Sequence, residues 1–301
     1  MIAEATRRIA ADIRRTPLLE MPGWGVLKLE MLQLAGSFKP RGAFNRMRAA
    51  GAGEAGVIAA SGGNHGVAVA AAARSLGLRA EIFVPEISAE AKRARIRGFG
   101  AHLVVGGATY DEARQASEAR AAETGALVVH AYDQPEVLAG QGTVAQEWEE
   151  QAPELTHLLV AVGGGGLIGG ISAWHRTSGV TLVAVEPEGC PCLHDALAAG
   201  RPVPAPVGGL AADSLGARQA GSHMFPLAAG LHAAGRLVPA LVTDEAIRSA
   251  QRALWENARL VAEPGGAAAL AALMSGAWVP PPGAKVGVLV CGANTDPGTV
   301  A

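Results

Sequence analysis

Leu158-Leu159-Val160-Ala161-Val162-Gly163-Gly164-Gly165-Gly166-Leu167-Ile168-Gly169-Gly170-Ile171-Ser172-Ala173-Trp174 joins two apolar runs through four consecutive glycines. The first run reads as a buried strand and the second as the start of a buried helix. Residues without side chains at a strand-to-helix turn let several backbone N–H groups converge. The helix N-terminus adds about half a positive charge there. That arrangement suits a phosphate. No Lys-Ser or Lys-Thr follows the glycines, so this is not a Walker loop. It is not the G-x-G-x-x-G dinucleotide fingerprint with its spaced acidic residue either. A flexible linker would carry polar flanks. These flanks are apolar, so the stretch reads as a phosphate cradle for another kind of cofactor.

Outward from that loop, strands and helices alternate. Residues 57–60, 80–85, 102–105 and 126–130 read as strands, and residues 66–76, 89–97 and 110–123 as helices between them. A second series runs through strands at 158–162 and 181–185, a helix at 243–257 and a strand at 285–290. Thr243 and Asp244 suit the cap of that helix. Residues 201–222 are rich in Pro and Gly and read as a long loop. The rhythm predicts α/β architecture: two lobes, each with a mostly parallel sheet covered by helices, and a cleft between them for a ligand.

Composition narrows the function. The 301 residues are 50% hydrophobic and 17% charged, with a net charge of -2. That is enough chain for a sizeable core and no basic footprint for nucleic acid. No apolar run is long enough to cross a membrane. The N-terminus lacks the apolar core of a signal peptide. Three cysteines do not make a disulfide framework, and a reducing cytoplasm is the simplest home.

Four further stretches carry chemistry. Gly36-Ser37-Phe38-Lys39-Pro40-Arg41-Gly42-Ala43 sets a lysine in apolar surroundings, where desolvation depresses its pKa and makes the amine nucleophilic. Ala60-Ser61-Gly62-Gly63-Asn64-His65-Gly66 lies at a strand-to-helix turn and offers a second anion site. Val261-Ala262-Glu263-Pro264-Gly265-Gly266-Ala267 puts a carboxylate at a helix start. Val288-Leu289-Val290-Cys291-Gly292-Ala293-Asn294-Thr295 puts a thiol at the end of a buried strand.

Together with the tetraglycine loop, these stretches resemble the fold-type II pyridoxal phosphate enzymes (tryptophan synthase β-like), specifically the serine/threonine dehydratase group. All five motifs occur in that family's order, between about residue 15 and residue 296. The resemblance implies a large cofactor-binding domain of residues 1–52 and 136–301 and a small domain of residues 53–135. It implies that Lys39 forms the Schiff base with pyridoxal 5′-phosphate and that Phe38 packs on the pyridine ring. Gly163, Gly164, Gly165 and Gly166, with the N–H of Leu167, correspond to the phosphate cradle. Asn64 corresponds to the residue that bonds the 3′-oxygen, and Cys291 to the group facing the ring nitrogen. Ser61, Gly62, Asn64 and His65 correspond to the turn that receives the substrate carboxylate. Lys39 and Ser61 are the implied catalytic residues. Plain structural roles stay open for His65 as a helix cap, Cys291 as core and Glu263 as a helix-start residue. Ser214 aligns loosely with a segment near the ring.

The implied activity is β-elimination of L-threonine or L-serine to a 2-oxo acid and ammonia, by a cytoplasmic homodimer. Rival readings within the family are a 3-hydroxyaspartate dehydratase, a serine racemase and a β-replacement enzyme such as threonine or cysteine synthase. A non-enzyme reading is a sensor that only binds the cofactor and amino acids. Racemising relatives carry a second serine where this chain has Gly62. Relatives with a divalent ion place a Glu, a carbonyl and an Asp where this chain has Glu186, Cys190 and Cys192. A hard cation binds poorly to a thiol. No divalent metal is therefore expected, while a weak monovalent cation stays compatible. Cys190-Pro191-Cys192-Leu193-His194 lacks a fourth zinc ligand. The sequence ends soon after Asp296, where biosynthetic relatives carry a regulatory domain, so feedback through such a domain is not expected.

Overall fold

The computed structural model describes residues 1–88 and 90–300. The chain opens with α1 (Ile2–Ile9), an antiparallel hairpin of β1 (Leu18–Met21) and β2 (Gly25–Lys28), and α2 (Pro40–Ala50). A first series follows: β3 (Val57–Ala60), α3 (Asn64–Ser75), β4 (Ala80–Val84), α4 (Glu90–Gly98), β5 (His102–Val105), α5 (Tyr110–Thr124) and β6 (Leu127–Val128). Next, α6 (Pro135–Gln151) leads to β7 (His157–Ala161), α7 (Gly166–Trp174), β8 (Thr181–Pro187) and α8 (Cys192–Ala199). The rest comprises α9 (Ala212–Leu215), α10 (Phe225–Ala233), β9 (Leu237–Val242), α11 (Asp244–Ala258), α12 (Pro264–Ser275) and β10 (Val286–Leu289).

Two sheets result, ordered β1-β2-β10-β7-β8-β9 and β5-β4-β3-β6. Among the described residues every pairing except β1–β2 is parallel. Parallel strands are covered on both faces, which explains their near-continuous apolar reading. Each sheet has its own buried core: one around Leu159, Val183 and Val288, the other around Val57, Ile82 and Val69.

Some boundaries differ from the sequence reading. The helix expected at 66–76 starts at Asn64, because Gly63 takes the extended N-cap geometry (φ -102°, ψ -152°). The strand expected at 126–130 shrinks to two residues. His130 ends it: its Nδ1 accepts the N–H groups of Tyr132 (3.3 Å) and Asp133 (3.0 Å) and curls the chain. The helix expected at 89–97 runs from Glu90, and Ala89 lies outside the described residues. Thr243 caps α11 by accepting the N–H of Ala246, whereas Asp244 accepts the N–H of Leu210 across the molecule.

A buried charge network anchors the start of α2. Arg41 is fully buried and donates to both carboxylate oxygens of Glu30 at 2.7 Å, and to Glu147 at 2.9 Å. Glu147 also pairs with buried Lys28. Leaving one of these charges unpaired would cost about 3–5 kcal/mol. The network fixes the first turn of α2, and with it the residue that precedes the turn, Lys39.

Candidate active site

Lys39 stands at the N-cap position of α2. Its Nζ donates to the carbonyl of Ala131 at 2.8 Å and lies 5.2 Å from the centroid of the Phe38 ring. Burial lowers the ammonium pKa to about 8, with Cys291 and Glu263 opposing the shift. Phe38 is itself pinned, since its N–H bonds the carbonyl of Cys291.

The glycine loop follows the end of β7. Gly165 takes φ +94°, a conformation that L side chains rarely adopt. A Cβ on Gly164 would fall 2.4 Å from the Tyr132 ring, and one on Gly163 would fall 3.0 Å from the backbone of Leu215. The first N–H groups of α7 have no intrahelical partner and carry the positive end of the helix dipole. A cradle closed to any side chain and rich in N–H donors fits a phosphate. With the buried amine of Lys39 nearby, these residues fit pyridoxal 5′-phosphate.

The turn at residues 61–65 lies close enough to Lys39 for its charge to act on His65. Ser61 Oγ accepts the N–H of Gly63 at 3.2 Å. Asn64 and His65 belong to the first turn of α3 rather than to the loop. His65 is buried, and its Nε2 meets the carbonyl of Val129 at 2.8 Å. Burial, reinforced by Lys39, holds its pKa down to about 3, so the ring is neutral and donates to that carbonyl. A Cβ on Gly62 would lie 2.9 Å from Ser88 Oγ.

Asn64 Nδ2 donates to Glu263 Oε1 at 2.6 Å, and Asn64 Oδ1 accepts from Asn294 Nδ2 at 2.6 Å. The second N–H of the Asn64 amide has no hydrogen-bond partner among the described residues. Burial pushes Glu263 up to about 7, with the Asn64 bond opposing it. Cys291 is buried, its thiol 3.4 Å from the carbonyl of Gly265. Burial and the nearby Glu263 push that thiol up, so it stays protonated. Ser214 Oγ accepts the N–H of Gly265 and so caps the start of α12.

Two pairings and one residue here escaped the sequence reading. Glu263 and Asn294 lie far from Asn64 in sequence, and only the fold makes them its partners. Tyr132 covers the glycine loop, its ring edge-on to His130 at 4.9 Å between centroids. Its one sequence signal is the aromatic side chain at the end of the first α/β series. Glu186 and Cys192 are turned inward: Glu186 accepts the N–H groups of Leu193 and His194, and Cys192 donates to the carbonyl of Gly163. Among the described residues no group of three or more His, Cys, Asp or Glu side chains could hold a metal. No helix among them is long and apolar enough to cross a membrane.

The chain is similar to known proteins along nearly its whole length. The family described as pyridoxal-phosphate dependent enzyme matches residues 9–292. The chain is 37% identical over 312 residues to an L-threonine ammonia-lyase of Geobacter sulfurreducens, covering 100% of this chain and 76% of that protein. It is 35% identical over 314 residues to a phenylserine dehydratase of Ralstonia pickettii, covering 100% and 94%. The solved structure of maize serine racemase superposes with a TM-score of 0.91 at 31% identity, covering 99% of this chain and 94% of that one.

Proposed function

The chain belongs to the pyridoxal-phosphate dependent enzymes, and from that premise we propose that it is an ammonia-lyase acting on L-threonine or L-serine. The products are 2-oxobutyrate or pyruvate, with ammonia. The observation that carries this reading is the buried Lys39 amine, lowered to about 8; Gly62, at the position where racemising relatives carry a second serine, supplies no side-chain base. When bound, the cofactor supplies the electron sink. The chain supplies the rest. Lys39 takes the proton from the substrate Cα, a step for which an amine of that pKa is suited near neutral pH. Ser61 and the N–H groups of the turn hold the carboxylate. Asn64, oriented by Glu263 and Asn294, would hold the bound cofactor through its 3′-oxygen. The neutral thiol of Cys291 leaves the ring nitrogen without a strong proton donor, which favours early loss of the β-hydroxyl.

The name of the Geobacter relative supports the lyase reading. The likeness to maize serine racemase supports a second reading, racemisation, which Gly62 disfavours. The Ralstonia relative extends the candidate substrates to 3-phenylserine. We read the enzyme as a cytoplasmic homodimer. The test is to incubate the cofactor-loaded protein with L-threonine, L-serine, 3-phenylserine and 3-hydroxyaspartate, and to quantify 2-oxo acid and ammonia. Equimolar release from threonine or serine is expected. Release from neither overturns the reading.

A further inference from the structure

The glycine loop has no side chains to hold it, so its aim depends on where its carbonyls go. In a trans peptide the C=O of one residue and the N–H of the next point in opposite directions. Holding a carbonyl on the protein side therefore turns the following N–H outward. Three consecutive loop carbonyls are held this way. Gly164 O accepts the N–H of Gly221 at 3.0 Å, and Gly165 O accepts the N–H of Gly169 at 2.8 Å. Gly163 O accepts from Cys192 Sγ at 3.1 Å. The first tether is thus a thiol, and the other two are backbone groups.

The thiol is well placed to serve. Cys192 is fully buried and is the first residue of α8. That helix start is itself fixed, because fully buried Glu186 accepts the N–H groups of Leu193 and His194 at 2.7 Å each. Burial and the neighbouring Glu186, whose carboxylate is also within hydrogen-bond reach of the thiol, raise the thiol pKa, so Cys192 keeps its proton, and the 3.1 Å contact directs it to the carbonyl of Gly163.

We propose that Cys192 is a positioning residue for the cofactor phosphate, acting through the carbonyl of Gly163 to aim the N–H of Gly164. Cys192→Ala removes the donor, and Cys192→Ser keeps one. The test uses cofactor-free protein, with the affinity for pyridoxal 5′-phosphate measured by fluorescence titration and the bound phosphate followed by its 31P resonance. Thermal unfolding of each cofactor-free variant checks the fold, and no substrate turnover enters. Cys192→Ala is expected to bind about three- to tenfold more weakly with a shifted 31P signal, and Cys192→Ser to stay within about twofold of the parent, since losing one hydrogen bond is worth about that much. Unchanged affinity in Cys192→Ala overturns the proposal. Equal losses in both variants overturn it too, because they would show that volume rather than donation matters.

Discussion

Asn64 and Glu263 are 199 positions apart and share a hydrogen bond of 2.6 Å, so a buried carboxylate sets the direction of an amide at the candidate site. Such a carboxylate carries a pH signature. Its pKa is raised from 4.5 to about 7, which means the fold prefers the protonated form. The stability linked to that preference is complete below pH 4.5 and is lost as pH rises to about 7, then stays flat. Glu186, also raised to about 7, adds a second share of the same sign. Cofactor-free protein is therefore expected to lose thermal stability between pH 5 and 7, and Glu263→Gln to lose less. Parallel pH curves for parent and variant would contradict this placement of Glu263.

Lys39 gives the next expectation. With its pKa near 8, the uncharged amine grows through that pH. The rate of covalent cofactor attachment should rise with pH and level off about one unit above. Lys39→Ala should fold, bind the cofactor without a covalent link, and lose ammonia release by at least about 100-fold. Undiminished release by this variant sinks the functional reading.

Gly164→Ala probes the cradle. Its Cβ would meet the Tyr132 ring at 2.4 Å. Cofactor affinity should fall at least about tenfold, or about 1.4 kcal/mol. Adding Tyr132→Ala should recover part of the loss, because the obstacle is then gone. If Gly164→Ala binds as tightly as the parent, the phosphate sits elsewhere.

How much of this was legible depended on whether the signal was local. The tetraglycine loop and the strands beside it announce themselves, because a parallel sheet needs continuous apolar runs and a cradle needs bare backbone. Lys39 is legible for the same reason: its flanks are apolar and rich in glycine. The helix α6 was not read from the pattern. It is buried on several sides, and Gly140 approaches the Arg41 carbonyl so closely that a Cβ would lie 2.4 Å from it, so no amphipathic stripe survives. Glu263 read as a plain helix-start residue, since nothing near it in sequence marks a partner in α3. The thiol of Cys192 read as a poor metal ligand, and its bond to Gly163 became visible only once β7 and β8 lay side by side.

The last expectation separates elimination from racemisation. In the proposed reading, Gly62 leaves no side chain to reprotonate Cα from the face opposite Lys39. With L-serine, D-serine should therefore form at least about 100-fold more slowly than pyruvate, the lower end of what a positioned acid or base contributes. Gly62→Ser would bring a new hydroxyl to that turn. Its Cβ would lie 2.9 Å from Ser88 Oγ, so the Ser88 hydroxyl must swing aside, a small adjustment at the end of a short side chain. The variant should form D-serine faster than the parent, as measured by chiral chromatography of the reaction mixture. Rapid D-serine formation by the parent would mean that another group supplies the second base, and the hydroxyl of Ser88, the atom nearest the missing side chain, would be the first to replace.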